Sequence, residues 1–260
     1  MATFEVPGAM LDVELSDEGG HPVVQLHGLT SSRARDRVLD LDLGRGLSGT
    51  RLLRYDARGH GRSTGRPVTG DYLWPNLADD LLRLLDAWFP GERVYGVGTS
   101  MGSGTLMHAA LADPRRFAGL TLLLPPTAWE TRVAQARRYR LSAAVIEQQG
   151  VAAFLARGQD FPPPPATVGH PETVPEVVAA LLPSVFRGAA GSDLPAPKQL
   201  MGIDVPIRVL AWVDDPSHPL STAQTLTALY PRATLTLAHN AAEVRRWPGM
   251  LHNDVTAAYL

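Results

Sequence analysis

Short apolar runs alternate with amphipathic stretches along the first half of the chain. Runs of strand-like residues lie at 22–26, 52–56, 94–97 and 120–124. Between the second and third of these runs, residues 76–88 carry leucines at helical spacing, which indicates an amphipathic helix. The alternation predicts an α/β fold in which helices cover both faces of a mostly parallel sheet.

The alternation breaks in the middle of the chain. Helical patterns at 128–160 and 174–187 flank a run of four consecutive prolines, which favours an extended backbone. Strand and helix patterns then resume. We therefore predict a core domain built from residues 1–127 and 201–260, with residues 128–200 inserted as a helical cap.

Composition narrows the classes of protein that fit this pattern. The 260 residues are 45% hydrophobic with a formal net charge of -2, which gives no basic excess for nucleic acid or an anionic membrane. Cysteine is absent, so disulfides, thiolate metal sites and cysteine nucleophiles are excluded. No apolar run reaches the length of a membrane span, and the N-terminus lacks a signal-peptide pattern. We expect a cytoplasmic monomer or homodimer that acts on a small molecule without a metal or other cofactor.

The strongest chemical signal is the pattern G-x-S-x-G at Gly98–Gly102. It lies between the strand-like run at 94–97 and a helix-forming run that begins at Thr105. Glycines at both ends allow a sharp turn, which would hold the hydroxyl of Ser100 at the tip of a strand and the start of a helix. Backbone N–H groups at a helix start favour negative charge. The motif therefore predicts a serine placed as a nucleophile.

Four landmarks, in order, make the chain resemble the α/β-hydrolase fold family. They are His27-Gly28 after an early strand, the segment Asp56–Ser63, the Gly98–Gly102 turn, and Asp215–Pro219 after a late strand. The resemblance extends over about residues 20–260, and the members it suggests are small bacterial esterases, enol-lactonases and haloperoxidase-like proteins. It implies the α/β-hydrolase fold, with a cap inserted where the alternating pattern breaks.

The resemblance also implies a nucleophile and an oxyanion hole. Ser100 would be the nucleophile, activated by a base and a third group that orients the base. The backbone N–H of Met101, directly after the nucleophile, would be one oxyanion donor. The second would be the N–H of Leu29, in the loop after His27-Gly28, and the hydroxyl of Thr30 could add a weaker contact.

Two residues compete for the role of the acid. Asp215 stands four residues before Pro219, as in the family pattern, although the chain lacks the usual glycine before it. Glu130 follows the strand after the serine turn, where some members of the family carry their acid. A solvated charge on the first cap helix is the simpler explanation of Glu130, so Asp215 is the predicted acid.

Several histidines compete for the role of the base. The family usually has a glycine–histidine pair after the last strand, and this chain has none. His239 directly follows the predicted strand at 233–238, at the edge where ligands of α/β sheets bind, and it comes after the acid; it is the predicted base. His252 is the second candidate, although it would lie off the apolar stripe of the last helix. His218 shares a loop with Asp215, an awkward place for a base that this acid must orient.

The pocket around the serine is expected to be apolar. Trp74, Trp129, Leu29 and Met101 are candidate lining residues by their position, with Thr30 at the edge of the pocket. Trp129 begins the predicted cap and could lie over Ser100. The same aromatic positions also suit ordinary core packing.

These features predict a serine hydrolase that cleaves a carboxylic ester or lactone of a small apolar molecule through an acyl-enzyme on Ser100. The alternatives are a non-catalytic ligand-binding member of the fold, or a variant that performs acyl transfer or C–C bond hydrolysis. One distance separates the first two: a ring nitrogen of His239 within hydrogen-bond reach of Ser100 Oγ favours the enzyme, and the absence of any histidine near Ser100 favours the binding protein.

Overall fold

A computed structural model describes residues 2–158, 165–171 and 174–260 of the chain. The first three prolines of the proline run, at positions 162–164, lie outside the described residues, so the predicted extended conformation stays a prediction there.

Within the described residues the centre of the molecule is an eight-stranded sheet. Its strands are Ala2–Val6 (β1), Ala9–Asp17 (β2), His21–Leu26 (β3), Thr50–Tyr55 (β4), Val94–Thr99 (β5), Phe117–Leu123 (β6), Ile207–Trp212 (β7) and Ala233–Ala238 (β8). The strand order is β1-β2-β4-β3-β5-β6-β7-β8. The pairs β1/β2 and β2/β4 are antiparallel, and every other pair is parallel. The predicted mostly parallel sheet is confirmed.

Helices connect the strands on both faces of the sheet. They are Arg33–Val38 (α1), Trp74–Trp88 (α2), Met101–Ala112 (α3), Glu130–Gly158 (α4), Leu182–Ala190 (α5), Pro197–Leu200 (α6), Leu220–Leu229 (α7), Ala241–Val244 (α8) and Trp247–Ala258 (α9). The central strands β5 and β6 are buried along their whole length because helices cover them on both sides.

The predicted amphipathic helix at 76–88 is confirmed as α2. The proline at its second position has no backbone N–H, and it fits there because N–H groups in the first turn have no partner within the helix. Its leucines pack into the core, and Leu81, Leu84 and Leu85 are 0% exposed. Apolar side chains at helical spacing thus identify a helix that buries one face.

Helix α1 carries no such period because its buried face is charged. Arg33 and Asp36 are its buried residues. The guanidinium of Arg33 donates to Asp56 at 3.1 Å and to Asp12 at 2.8 Å, and these carboxylates lie on neighbouring parts of the sheet. Ion pairs replace apolar contacts here, so no hydrophobic period marks the helix.

The predicted helix at 174–187 is wrong in its first half, since α5 begins only at Leu182. The segment before it is held by other loops: Glu176 N–H donates to the carbonyl of Thr30 at 2.9 Å, and the carbonyl of Glu176 accepts from Gly61 N–H at 2.7 Å. Backbone groups committed to these partners are not available for helical i to i−4 bonds. Proline at position 175 further disfavours a helix at the residue before it.

The helices between β6 and β7 have an apolar cluster of their own. Ile146 of α4 and Val185 and Phe186 of α5 belong to it, together with Tyr72 from the core. Gly150, with φ 84°, breaks α4 into two helical parts. This packing supports an inserted cap, while the boundaries predicted for the cap stay a prediction.

The turn between β5 and α3 brings two backbone segments into contact. A Cβ on Gly98 would lie 2.5 Å from the carbonyl carbon of Gly102, and a Cβ on Gly102 would lie 2.8 Å from the Cβ of Leu26. Real Cβ atoms do not occupy such positions, so both glycines of the motif are required by close approach rather than by flexibility.

We expect Gly98→Ala to lower the free energy of unfolding by about 1–3 kcal/mol or more, because the added methyl group overlaps backbone that cannot move aside. Denaturant unfolding measures the change. Gly249→Ala is the matched control: it lies on α9 and its Cβ would meet nothing within 4 Å. The control is expected to be neutral or to gain ~0.5–1 kcal/mol from helix propensity. Equal losses of unfolding free energy in the two variants would contradict the close approach of Gly98 and Gly102.

Candidate active site

Ser100 occupies a strained backbone position at the start of α3. Its φ of 51° lies in the left-handed region, which is unusual for a residue with a side chain. The turn is held by a hydrogen bond from Ser100 N–H to the carbonyl of Leu123 at 2.9 Å and by one from Gly104 N–H to the carbonyl of Ser100 at 3.2 Å. The predicted sharp strand-to-helix turn is therefore present. The two hydrogen bonds hold Ser100 in its strained backbone conformation.

The histidine beside Ser100 is His218. Its Nε2 lies 3.0 Å from Ser100 Oγ, and its Nδ1 lies 2.8 Å from Oδ2 of Asp215. The side chain of His218 is 16% exposed and that of Asp215 is 0% exposed. A serine, a histidine and a carboxylate thus form one hydrogen-bonded line, of which the sequence predicts only Ser100 and Asp215.

A tight turn makes this histidine reachable from the carboxylate three residues before it. Oδ1 of Asp215 accepts from the backbone N–H groups of Ser217 at 2.9 Å and His218 at 3.2 Å. These bonds fold the loop back on the aspartate, so the imidazole lies against the other carboxylate oxygen. The objection that a base on the same loop is hard to orient fails for this reason. The signal that could have found His218 is an aspartate followed closely by proline, serine and histidine.

The ionisation of Asp215 fits a partner of an imidazole. Burial opposes its charge, but hydrogen bonds from the His218 ring and from two backbone N–H groups outweigh burial and keep the pKa of Asp215 below its ordinary value. Because an ionised carboxylate only accepts hydrogen bonds, Nδ1 of His218 must carry the proton in this contact. The Nε2 of the neutral imidazole is then left to accept the proton of Ser100 Oγ.

The expectation that His239 contacts Ser100 is wrong in this structure. His239 lies at the end of β8, with 63% of its side chain exposed, and its N–H and Nδ1 both contact Oε2 of Glu243. The strand β8 is three places from β5 in the sheet, or roughly 14 Å at ~4.8 Å per strand. His218 instead leaves β7, one strand nearer, on a loop that turns toward Ser100.

The other candidates for base and acid also lie elsewhere. His252 lines a surface groove with Arg246 and Met250 on the side of α9. Glu130 is exposed at the first position of α4. Within the described residues neither makes a hydrogen bond to Ser100 or His218, so the geometry favours Asp215 over Glu130.

The two predicted oxyanion donors are both at the serine. Leu29 follows Gly28, and a Cβ placed on Gly28 would lie 3.5 Å from the Cβ of Ser100, so this loop passes directly beside Ser100. Met101 is the first residue of α3. Across the part of the chain that the structure describes, the N–H groups of Leu29 and Met101 have no hydrogen-bond partner. Free donors beside Ser100 are what a developing oxyanion needs.

The cavity over Ser100 has a volume of about 310 Å³. The core contributes Leu39, Leu41 and Leu124 to its apolar walls, and the inserted helices contribute Tyr139, Phe154 and Phe186. Leu29 and Thr30 line it as predicted. A cavity of this size is near the lower end of the range for small-molecule sites.

The lining of this cavity does not include three of the predicted residues, Trp74, Trp129 and Met101. Trp74 is 2% exposed, packs in the core, and has the guanidinium of Arg132 4.4 Å above its ring. Trp129 turns away: its N–H donates to Asp193 and its Nε1 donates to the carbonyl of Pro195 at 3.1 Å. Trp74 therefore serves core packing, and Trp129 is bonded to the segment at 193–195.

The glycine-rich loops around the site serve as its frame. Nδ1 of His27 donates to the carbonyl of Gly28 at 2.7 Å, and its Nε2 accepts from Ala57 N–H at 2.9 Å, so the imidazole is neutral and ties two loops together. Burial lowers the pKa of His27, and it lowers the pKa of His60 to about 3. Arg58 forms a bidentate ion pair with Asp80. None of these groups is placed for proton transfer at Ser100.

The described residues contain no group of three or more His, Cys, Asp or Glu that could hold a metal ion. In the same part of the chain, no helix combines the length and apolar character needed to cross a membrane.

Comparison with known proteins agrees with this architecture. A family model described as the alpha/beta hydrolase fold matches residues 21–198. The curated 3-oxoadipate enol-lactonase 2 of Acinetobacter baylyi is 29% identical over 195 residues, which cover 71% of this chain and 68% of that protein.

Solved structures share the fold over almost the whole chain. A hydrolase from Pseudomonas aeruginosa superposes with a TM-score of 0.76 at 24% identity, covering 99% of this chain and 97% of the other. A thermophilic esterase from Thermogutta terrifontis gives a TM-score of 0.77 at 20% identity, covering 99% and 95%. At these identities the likeness concerns the fold, and together with the family match it leads to one conclusion: the chain belongs to the α/β-hydrolase fold family.

Proposed function

We propose that this protein is a serine hydrolase that cleaves a carboxylic ester or a lactone of a small, largely apolar molecule. The observation that carries the proposal is the line of hydrogen bonds from Ser100 Oγ through the His218 ring to Asp215. A serine hydroxyl is a weak nucleophile until a base accepts its proton, and this arrangement supplies the base and orients it.

The reaction would proceed in two halves. In the first, Nε2 of His218 takes the proton from Ser100 Oγ while the oxygen attacks the carbonyl carbon of the substrate. The imidazolium is stabilised by Asp215 and returns the proton to the departing alkoxide, which leaves as the alcohol or, for a lactone, stays attached as the hydroxyl end of the acyl group. In the second half, water gives one proton to His218 and its oxygen attacks the acyl carbon. The bond from that carbon to Ser100 Oγ then breaks, His218 returns the proton to Oγ, and the carboxylic acid leaves.

Two backbone N–H groups would stabilise the negative oxygen in both halves. The donors of Leu29 and Met101 flank Ser100 and are not used by other described groups. A single oxyanion donor contributes about 10²–10³ to the rate in enzymes of this type. The start of α3, a helix of 12 residues, adds the positive end of its dipole.

The size and chemistry of the cavity support the substrate class. Its volume of about 310 Å³ limits the substrate, and leucine and phenylalanine side chains favour an apolar body. The relative in Acinetobacter baylyi carries the name of an enol-lactonase, which supports the lactone branch of the proposal. We further propose that residues 128–200 act as a cap, since side chains of α4 and α5 close one side of the cavity.

A fluorophosphonate probe is expected to label the protein at Ser100, and p-nitrophenyl acetate is expected to be hydrolysed. Ser100→Ala should abolish labelling and turnover because it removes the nucleophile, leaving the fold intact. Mass spectrometry of the labelled peptide and release of p-nitrophenol measure the two effects. Full turnover by Ser100→Ala would disprove the mechanism, and release of acid rather than transfer to an added alcohol distinguishes hydrolysis from acyl transfer.

We expect His218→Ala to lower kcat by about 10⁴–10⁶-fold, since the triad loses its base. His239→Ala, at an exposed histidine bonded to Glu243, is the matched control and should leave kcat unchanged. Steady-state kinetics on the same ester measures both variants. A large loss of kcat in His239→Ala, together with an unchanged kcat in His218→Ala, would favour His239 as the base, as the sequence predicts.

A further inference from the structure

Asp36 is a buried carboxyl group in the wall of the Ser100 cavity. It lies on α1, is 2% exposed, and lines the same cavity as Ser100 and His218. Carboxyl groups are rarely buried so completely unless they are paired. The proposed triad makes no use of it.

The pairing of Asp36 is incomplete. Its Oδ1 accepts a hydrogen bond from the hydroxyl of Ser31 at 2.8 Å. Within the described residues, Oδ2 has no hydrogen-bond partner and neither oxygen contacts a cation. Ser31 also lines the cavity, so the carboxyl and its one partner belong to the same part of the wall.

The arginines around Asp36 are engaged elsewhere. Arg33 pairs with Asp56 and Asp12, and Arg54 pairs with Asp42. The side chain of Arg35 donates through Nη1 to the carbonyls of Thr30 and Val174, both at 3.1 Å. The charged or titratable groups that face Asp36 from the surrounding elements are Arg33, Arg35, Asp42, Arg54, Asp56 and His27.

These surroundings favour the protonated acid. Burial raises the pKa of Asp36 to about 7; the hydrogen bond from Ser31 and the charge of Arg35 oppose the shift, while the carboxylates of Asp42 and Asp56 add to it. Below neutral pH the group is a neutral acid, which can accept from Ser31 through one oxygen and donate through the other.

We propose that Asp36 is a specificity-determining residue, and that its Oδ2–H donates a hydrogen bond to an ether or carbonyl oxygen that the substrate carries away from its scissile bond. The inference rests on the proposed ester or lactone hydrolysis and narrows its substrate class. The preferred substrates are those with an acceptor oxygen in an otherwise apolar body. Ionisation of Asp36 removes the donor and sets a negative oxygen against the acceptor, so the preference disappears at alkaline pH.

The test compares esters that differ by one oxygen in place of one methylene. In the acyl series these are p-nitrophenyl β-methoxypropanoate and p-nitrophenyl pentanoate; in the alcohol series they are methoxyethyl butanoate and butyl butanoate. The readout is the ratio of kcat/KM within each pair, because the effects of pH on the catalytic steps that both esters share cancel in this ratio. At pH 6 we expect the kcat/KM of the wild type to favour the oxygen-containing ester in one series by roughly 3- to 10-fold, after correction for intrinsic reactivity. At pH 8.5 we expect this preference to be lost.

Three variants separate the explanations. Asp36→Leu should lose the preference at both pH values because it has no donor. Asp36→Asn should keep it at pH 8.5, since an amide donates at any pH. Asp40→Asn is the control, because Asp40 is a surface partner of Arg45, and it should behave as the wild type.

Thermal unfolding gives a second readout of the same carboxyl. A folded-state pKa raised from 3.8 to about 7 means that the folded protein holds a proton that the unfolded chain has already lost. This contribution to stability is present at acid pH and is lost as the pH rises from about 4 to about 7. The Tm of the wild type should therefore fall more between pH 5 and pH 8 than the Tm of Asp36→Asn.

The outcomes distinguish this inference from the proposed function. If the wild type hydrolyses the esters but shows the same ratios as Asp36→Leu in both series, the role of Asp36 is disproved and the hydrolase stands. If Ser100→Ala still turns the esters over, the proposed function itself fails. Should Asp36→Leu not fold, the comparison of wild type with Asp36→Asn at pH 8.5 decides, and equal ratios there would overturn the inference.

Discussion

The arrangement of the site depends on the two hydrogen bonds that the imidazole of His218 makes, one to Ser100 and one to Asp215. Ser100 and Asp215 follow β5 and β7, with β6 between these strands, and among the described residues no backbone hydrogen bond joins the two turns. The ring bridges this gap with hydrogen bonds of 3.0 and 2.8 Å. Its position follows from the backbone N–H groups that Asp215 accepts, so one carboxylate shapes the loop and orients the ring at the same time.

Two buried carboxyl groups of the site have opposite surroundings. Asp215 accepts hydrogen bonds from a ring and two backbone N–H groups, and its pKa is lowered despite burial. Asp36 has a single serine hydroxyl and two nearby carboxylates, and its pKa is raised. Burial acts on both groups, so the donors and the negative charges that each one meets decide whether its pKa is lowered or raised. In our interpretation, the first supports the base and the second recognises the substrate.

The sheet and the serine turn could be predicted because their causes are local. Apolar runs form the buried strands, and helical spacing of leucines marks α2. At the turn, glycine is needed at position 98 because the turn brings Gly102 against it, whereas position 102 needs glycine because Leu26 of β3 lies against it. The helix α1 and the segment before α5 could not be predicted in this way, because the first buries charges and the second pairs its backbone with Thr30 and Gly61.

The sequence by itself determined the fold family, the glycine-bounded turn at Ser100 and the preference for Asp215 over Glu130 as the candidate acid, since these depend on short-range pattern and on the order of the motifs. Only the tertiary structure decided which histidine reaches Ser100 and which side chains face the cavity. His239 and His218 both follow strands near the same edge, and a single turn at Asp215 directs one inward while the end of the outermost strand leaves the other in solvent. The turn itself is local, but its direction toward Ser100, 118 positions earlier in the chain, depends on how β5 and β7 are placed in the sheet.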